Sequence, residues 1–217
     1  GQHATHHLVA AVSADGPGLC LVDVRGRDDV VVEPLRHIGR TPSCRVSYAG
    51  APARPVGDAA ALGALVQCAR ALAAVQCVGA MQEALDMTVR YARVREQFGK
   101  PIGSFQAIQH KCADMMVQVE SAKSATYYAA WAVAHGVSEA HLAACMAKAY
   151  CSDAYREVAG EGIQIHGGIG FTWEHDMHLY FKRAKGSEVT FGDATWNREL
   201  VAQVVLDGPE SLSAESR

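Results

Sequence analysis

The sequence has little of what would tie it to disulfide, metal, membrane or nucleic-acid chemistry. Its seven cysteines form no CxxC pair; an odd number without zinc-type spacing argues for a reducing cytoplasm rather than a disulfide framework. None of the ten histidines falls in an HExxH motif, so no metal site is expected. No run approaches the roughly 18 uninterrupted apolar residues that a membrane span needs. The opening GQHATHHLVAAVSADG lacks the basic start and apolar middle of a signal peptide. Net charge is only −3, with Lys and Arg scattered, which leaves a nucleic-acid surface unsupported. The expected setting is the cytoplasm, with neither membrane nor nucleic acid as partner.

What is present is enough for a core: 217 residues, 49% apolar and 20% charged, as in one large globular domain or one and a half smaller ones. From His7 to about Tyr48 the segments HLVAAVSA, GLCLVDV, VVVEPL and CRVSYAG read as short strands of an antiparallel sheet, separated by polar turns. His3, His6 and His7 read as an exposed terminus. APARPVGD, over 51–58, marks a change of regime. After it, apolar residues from Leu62 to Val89 recur at spacings of three and four, predicting a helix from Ala59 to about Gln97. Further helices are expected from about Ser104 to His135, from Ser138 to about Gly160, over EHDMHLYFKRAKGS and over the last apolar stretch. Met115 and Met116 are expected in the core, with Tyr127, Tyr128 and Trp131 filling space between helices. The fold class is mostly α: an antiparallel bundle of long helices preceded by a partial antiparallel β-domain.

Two stretches carry chemistry. YARVREQFGKPIGSFQAIQH gathers a cation, Arg95, two amides, Gln97 and Gln106, and the ring of Phe98, with Phe105 close by. Arg95 can fork onto a phosphate with parallel hydrogen bonds, and the rings can cover a flat base. GEGIQIHGGIGF places four glycines within 162–170, where bare backbone can approach a ligand. Gln164 and His166, two apart, would share a side of an extended segment.

Together these stretches resemble the C-terminal helical domain of the acyl-CoA dehydrogenase family. RxxFGxPIxxFQ followed by QxxGGxGF is highly specific, and the preceding strands resemble the second half of that family's middle β-domain. The resemblance covers nearly the whole chain. It implies a partial middle β-domain over 1–56, a helical bundle over 57–206 and a flexible tail over 207–217. It also implies that the chain is a truncated or processed product, or part of a longer protein. Family members remove the α-proton of an acyl-CoA thioester with a carboxylate and pass the β-hydride to FAD. The resemblance assigns the adenosine-pyrophosphate half of FAD to Arg95, Phe98, Gln106, Gln164, Gly167 and Gly168. Gln97 and His166 stand where the family often has a hydroxyl and an apolar residue.

The departures concern the base. Ungapped alignment from Arg183–Lys185 and from Arg198 puts Phe191 where most members carry the catalytic glutamate, and Ala69 stands where other members carry it. Asp193 replaces the family's threonine and is a candidate displaced base. The resemblance then implies a subunit that lacks a base and completes the FAD site of a related, catalytic subunit. This is the arrangement of the heterotetrameric acyl-CoA dehydrogenases of actinobacterial steroid side-chain breakdown, and a steroid side-chain CoA thioester is one substrate it would serve. The alternatives are a self-sufficient enzyme using Asp193 and a flavin-free helical scaffold.

Overall fold

The computed structural model describes residues 4–39, 41–206 and 208; His3 and nearly all of the expected tail lie outside them. All four expected strands are present, but they divide between two sheets. β1 (His6–Ser13) and β2 (Gly16–Asp23) form an antiparallel hairpin, and β3 (Val30–Leu35) pairs antiparallel with β4 (Ser43–Tyr48). A fifth strand was not expected: β5 (Arg54–Gly57) lies inside the stretch read as the change of regime and pairs with β2. As an edge strand it tolerates Pro55, whose missing N–H would break a central ladder. His7 is no frayed terminus: its Nδ1 lies 2.8 Å from the Tyr48 hydroxyl, joining the two sheets.

The helices are α1 (Ala59–Val94), α2 (Gln106–His135), α3 (Ala140–His166), α4 (Met177–Val189) and α5 (Ala194–Leu206). Asp58 caps α1 by accepting the Ala61 N–H at 2.9 Å, satisfying one of the first-turn donors. α2 stops at Gly136, whose left-handed φ of 60° lets its N–H reach back to the carbonyls of Ala132 and Val133. α3 is the central helix, packed on α1, α2, α4 and α5. The close packing follows from alanine: Ala74, Ala84, Ala122, Ala129 and Ala147 are fully buried beside Met81, Val119 and Val158. Gly162 serves the same end, since a Cβ there would lie 2.8 Å from Met177 Sδ.

Two core expectations are corrected. Met115 is buried, but Met116 is 49% exposed, because adjacent helical positions differ by 100°. Tyr127, Tyr128 and Trp131 lie on the outside of α2 rather than between helices, with Tyr128 stacked on Trp131. By length and composition α1 is also apolar enough to cross a membrane, although no uninterrupted apolar run flags it; here it packs within the bundle.

Candidate functional site

α1 ends at Val94, and the chain makes a two-residue hairpin between β6 (Glu96–Gln97) and β7 (Lys100–Pro101). Phe98 and Gly99 form its turn, both at positive φ, 55° and 77°, as a tight hairpin turn demands. The turn presents the Phe98 ring at 92% exposure, edge-on to Phe105 with centroids 6.1 Å apart. Lys100 Nζ sits 4.3 Å above the Phe105 ring. The hairpin is tied back by the Ile102 N–H, donated to the Arg95 carbonyl at 2.8 Å. Gly103 lies so close to α1 that a Cβ would come within 2.9 Å of the Ala92 carbonyl. Arg95, Gln97 and Gln106 are exposed at this end of the bundle. Gln97 turns its amide onto the Glu96 carbonyl, at 2.7 Å.

The glycine stretch corrects one expectation. α3 does not stop near Gly160 but runs through His166, so Gln164 and His166 are about 200° apart on a helix. Gln164 is exposed and His166 is buried. The His166 ring stacks on Tyr91 of α1 at 4.4 Å and lies 4.4 Å from the His175 ring. Its Nδ1 meets the Gly162 carbonyl at 2.6 Å, while its buried Nε2 has no hydrogen-bond partner. Burial holds its pKa below the usual histidine value. This stack pins the end of α3 to the end of α1, so the two sequence motifs meet at one end of the bundle. Gly167 takes φ 62° and ψ −140°, a conformation only glycine adopts readily. No atom outside its neighbours lies within 4 Å of a Cβ placed on Gly167 or Gly168, so the backbone of the turn is open to approach. An exposed guanidinium, amides, a ring and open backbone suit a phosphate-bearing dinucleotide.

A second locus lies where α1 meets the turn after α4. Ala69 and Phe191 line the same cavity of about 220 Å³, with Thr41, Gln76, Arg183, Ser187 and Thr190 contributing its polar groups. No carboxylate is among its described lining residues. Asp193 faces a different cavity, with Val189, Trp196 and Glu199, and its Oδ1 accepts the Trp196 N–H at 2.7 Å as the cap of α5. Phe191 itself is left-handed, φ 58°, a strained state for an aromatic residue unless its surroundings fix it.

Those surroundings contain residues that sequence reasoning missed. Lys148, fully buried, donates to Ser152 Oγ at 2.7 Å and to the carbonyls of Glu188 and Gly192 at 3.2 and 2.9 Å. Burial lowers its pKa. Asn197 Nδ2 reaches the carbonyls of Gly192 and Asp193 at 3.1 and 2.9 Å, and Arg70 Nε approaches that of Phe191 at 3.4 Å. The available signal was Lys148 alone in the apolar run AACMAKAY: a lysine on an otherwise buried helix needs acceptors from elsewhere.

The profile of the family described as "Acyl-CoA dehydrogenase, C-terminal domain" matches residues 57–206. The chain belongs to the acyl-CoA dehydrogenase family. Among curated acyl-CoA dehydrogenases it is 41% identical over 198 residues to FadE34 of Mycobacterium tuberculosis, covering 89% of this chain and 27% of FadE34. It is 45% identical over 130 residues to IpdE2 of Mycolicibacterium smegmatis, covering 59% of this chain and 39% of IpdE2. Among solved acyl-CoA dehydrogenase structures, the ChsE4-ChsE5 complex from Mycobacterium tuberculosis superposes with a TM-score of 0.87 at 32% identity, over 96% of this chain and 57% of the matched chain. The Tcur3481-Tcur3483 steroid ACAD G363A variant gives 0.89 at 32% identity, over 94% and 56%. The chain thus spans between about a quarter and three fifths of the length of these acyl-CoA dehydrogenases.

Proposed function

We propose that this chain is a subunit taking part in FAD-dependent α,β-dehydrogenation of an acyl-CoA thioester, and that it supplies the adenosine-pyrophosphate half of a FAD site to a related, catalytic subunit. The observation that carries this reading is a contrast between the two loci. Arg95, Phe98, Gln106, Gln164 and the Gly167–Gly168 turn stand exposed together at one end of the bundle, whereas the cavity shared by Ala69 and Phe191 has no carboxylate among its described lining residues.

When bound, FAD supplies the hydride acceptor. Arg95 pairs with its phosphates, Phe98 covers the base, and Gln106 and Gln164 take polar edges. His166 acts from inside, holding the turn by its stack on Tyr91, and Gln97 braces the hairpin. The α-proton is taken by a carboxylate of the partner, because an alanine and a phenylalanine accept none. Asp193 caps α5 and lines a different cavity from that of Ala69 and Phe191. The likeness to a complex of two named proteins and to a steroid ACAD supports a heterotetramer and a steroid side-chain CoA thioester as substrate.

Co-expression with a related subunit tests this reading. Flavin is expected only in the complex, at one per pair of unlike chains. Arg95→Ala in this chain removes it, while Asp193→Asn leaves turnover unchanged. A full flavin complement and turnover in this chain alone would overturn the reading.

A further inference from the structure

Two imidazoles sit behind the glycine turn, and the backbone fixes where each holds its proton. His166 Nδ1 meets the Gly162 carbonyl at 2.6 Å. A carbonyl only accepts, so the neutral ring carries its proton on Nδ1 and a lone pair on Nε2. His175 is the reverse case. Its Nδ1 accepts the Met177 N–H at 3.1 Å, so its ring proton sits on Nε2. The two rings touch, with centroids 4.4 Å apart. The neutral pair thus keeps one free lone pair and one free N–H, a matched set. A proton added to His166 leaves two N–H groups and no acceptor.

The surroundings do not take up the added charge. His166 is 3% exposed, and its Nε2 has no hydrogen-bond partner. The ionisable groups that face it are Tyr91 of α1 and His175 of the segment before α4. Among the described residues no carboxylate acts on it, and a charge on His175 would oppose its own. The face of the Tyr91 ring favours a cation, but burial works against one and holds the pKa down. A charged His166 reaches water only by leaving the Tyr91 stack and the Gly162 carbonyl.

The glycine turn moves with that ring. Gly170, inside the 3-10 turn Gly167–Phe171, packs directly on the end of α3. A Cβ there would lie 2.9 Å from the Ile163 carbonyl and 3.1 Å from His166 Cβ. Contacts this close leave no slack between the turn and His166.

We propose that the His166–His175 pair is a pH-sensitive latch: the neutral pair holds the Gly167–Gly168 backbone in place for a dinucleotide, and one proton taken up by His166 releases it. That the dinucleotide is FAD rests on the reading above; the latch itself does not.

Two readouts on the complex purified with the co-expressed subunit test this at pH 7.5 and pH 5.0, either side of the ordinary histidine value of about 6.5. The first is amide hydrogen exchange over residues 167–176, corrected for the intrinsic effect of pH. Protection is expected to fall about tenfold at the lower pH, as uptake of a single proton allows. The second is FAD affinity, expected to weaken by about the same factor. His166→Leu should flatten both responses, whatever its own level at pH 7.5. His175→Asn, which keeps an acceptor for the Met177 N–H, should leave both responses in place. Protection equal at the two pH values, a response that survives His166→Leu or vanishes with His175→Asn, or tighter flavin binding at pH 5.0 would overturn the latch. So would an equal fall across the α2 amides, which means general unfolding. A complex that binds no flavin at either pH overturns the flavin reading, and hydrogen exchange then decides the latch alone.

Discussion

His166 shows how one buried side chain ties the candidate site to the core. Its Nδ1 is spent on the Gly162 carbonyl, and its Nε2 lies buried without an acceptor. Protonation would put a second N–H, and a charge, into that place beside His175. With its folded pKa below the unfolded value of about 6.5, the unfolded chain binds more protons in that window, so stability falls as pH drops below about 6.5. His141, lowered by burial and by Arg70, acts in the same direction. Thermal unfolding followed from pH 7.5 to 5.5 should show a falling Tm, and His166→Leu should remove part of the slope. Lys148 presents the opposite balance, a buried cation engaged with a hydroxyl and two carbonyls. Lys148→Met takes this donor from the Glu188 carbonyl and leaves that of Gly192 to Asn197 alone, and should cost roughly 2–3 kcal/mol in urea unfolding. It should also loosen the turn that holds Phe191 at positive φ. That Arg95, Phe98 and Gln106 lie near one another was legible from sequence, because all three fall within the short stretch between the end of α1 and the start of α2. The Lys148 network was not, because its acceptors come from a turn some forty residues away.

At the scale of elements, helical periodicity placed all five helices but misjudged which faces are covered. α3 was ended near Gly160 because glycine reads as a breaker, yet Gly160 and Gly162 sit inside the helix. Gly162 is there because α4 packs too close for a side chain. β5 was missed because its proline and glycine read as punctuation, and only its partner β2 makes it a strand. On α2 an apolar residue can face either way. Met115, 2% exposed, touches the core, and Met116 does not. Met115→Ala should therefore destabilise by about 2–5 kcal/mol, whereas Met116→Ala should stay within about 0.5 kcal/mol. Paired urea titrations of this chain decide it; equal losses would mean that the face of α2 is misassigned.

For the molecule as a whole, the question is how the strand region is held to the bundle, since the cavity shared by Ala69 and Phe191 also takes Thr41 of the strand region into its lining. Besides the packing of α1 on β2 and β5, a contact with α4 is made at glycines and one polar pair. Gly39, between β3 and β4, approaches Gly186 of α4 so closely that a Cβ on either would lie 2.8 Å from the other's Cα. Beside it Arg183 holds Thr41. Backbone cannot yield here as a flexible side chain would, so a single methyl pushes the β3–β4 connection off α4. Gly186→Ala retains helical φ and so tests the seam rather than the helix. Its expected cost is about 1–3 kcal/mol of overpacking, offset in part by alanine's better helix propensity. The bundle, whose core lies in α1, α2 and α3, should keep its helical circular dichroism. Limited proteolysis should then cut first between β3 and β4. A variant as resistant there as the parent would show that the strand region is held by contacts other than these glycines.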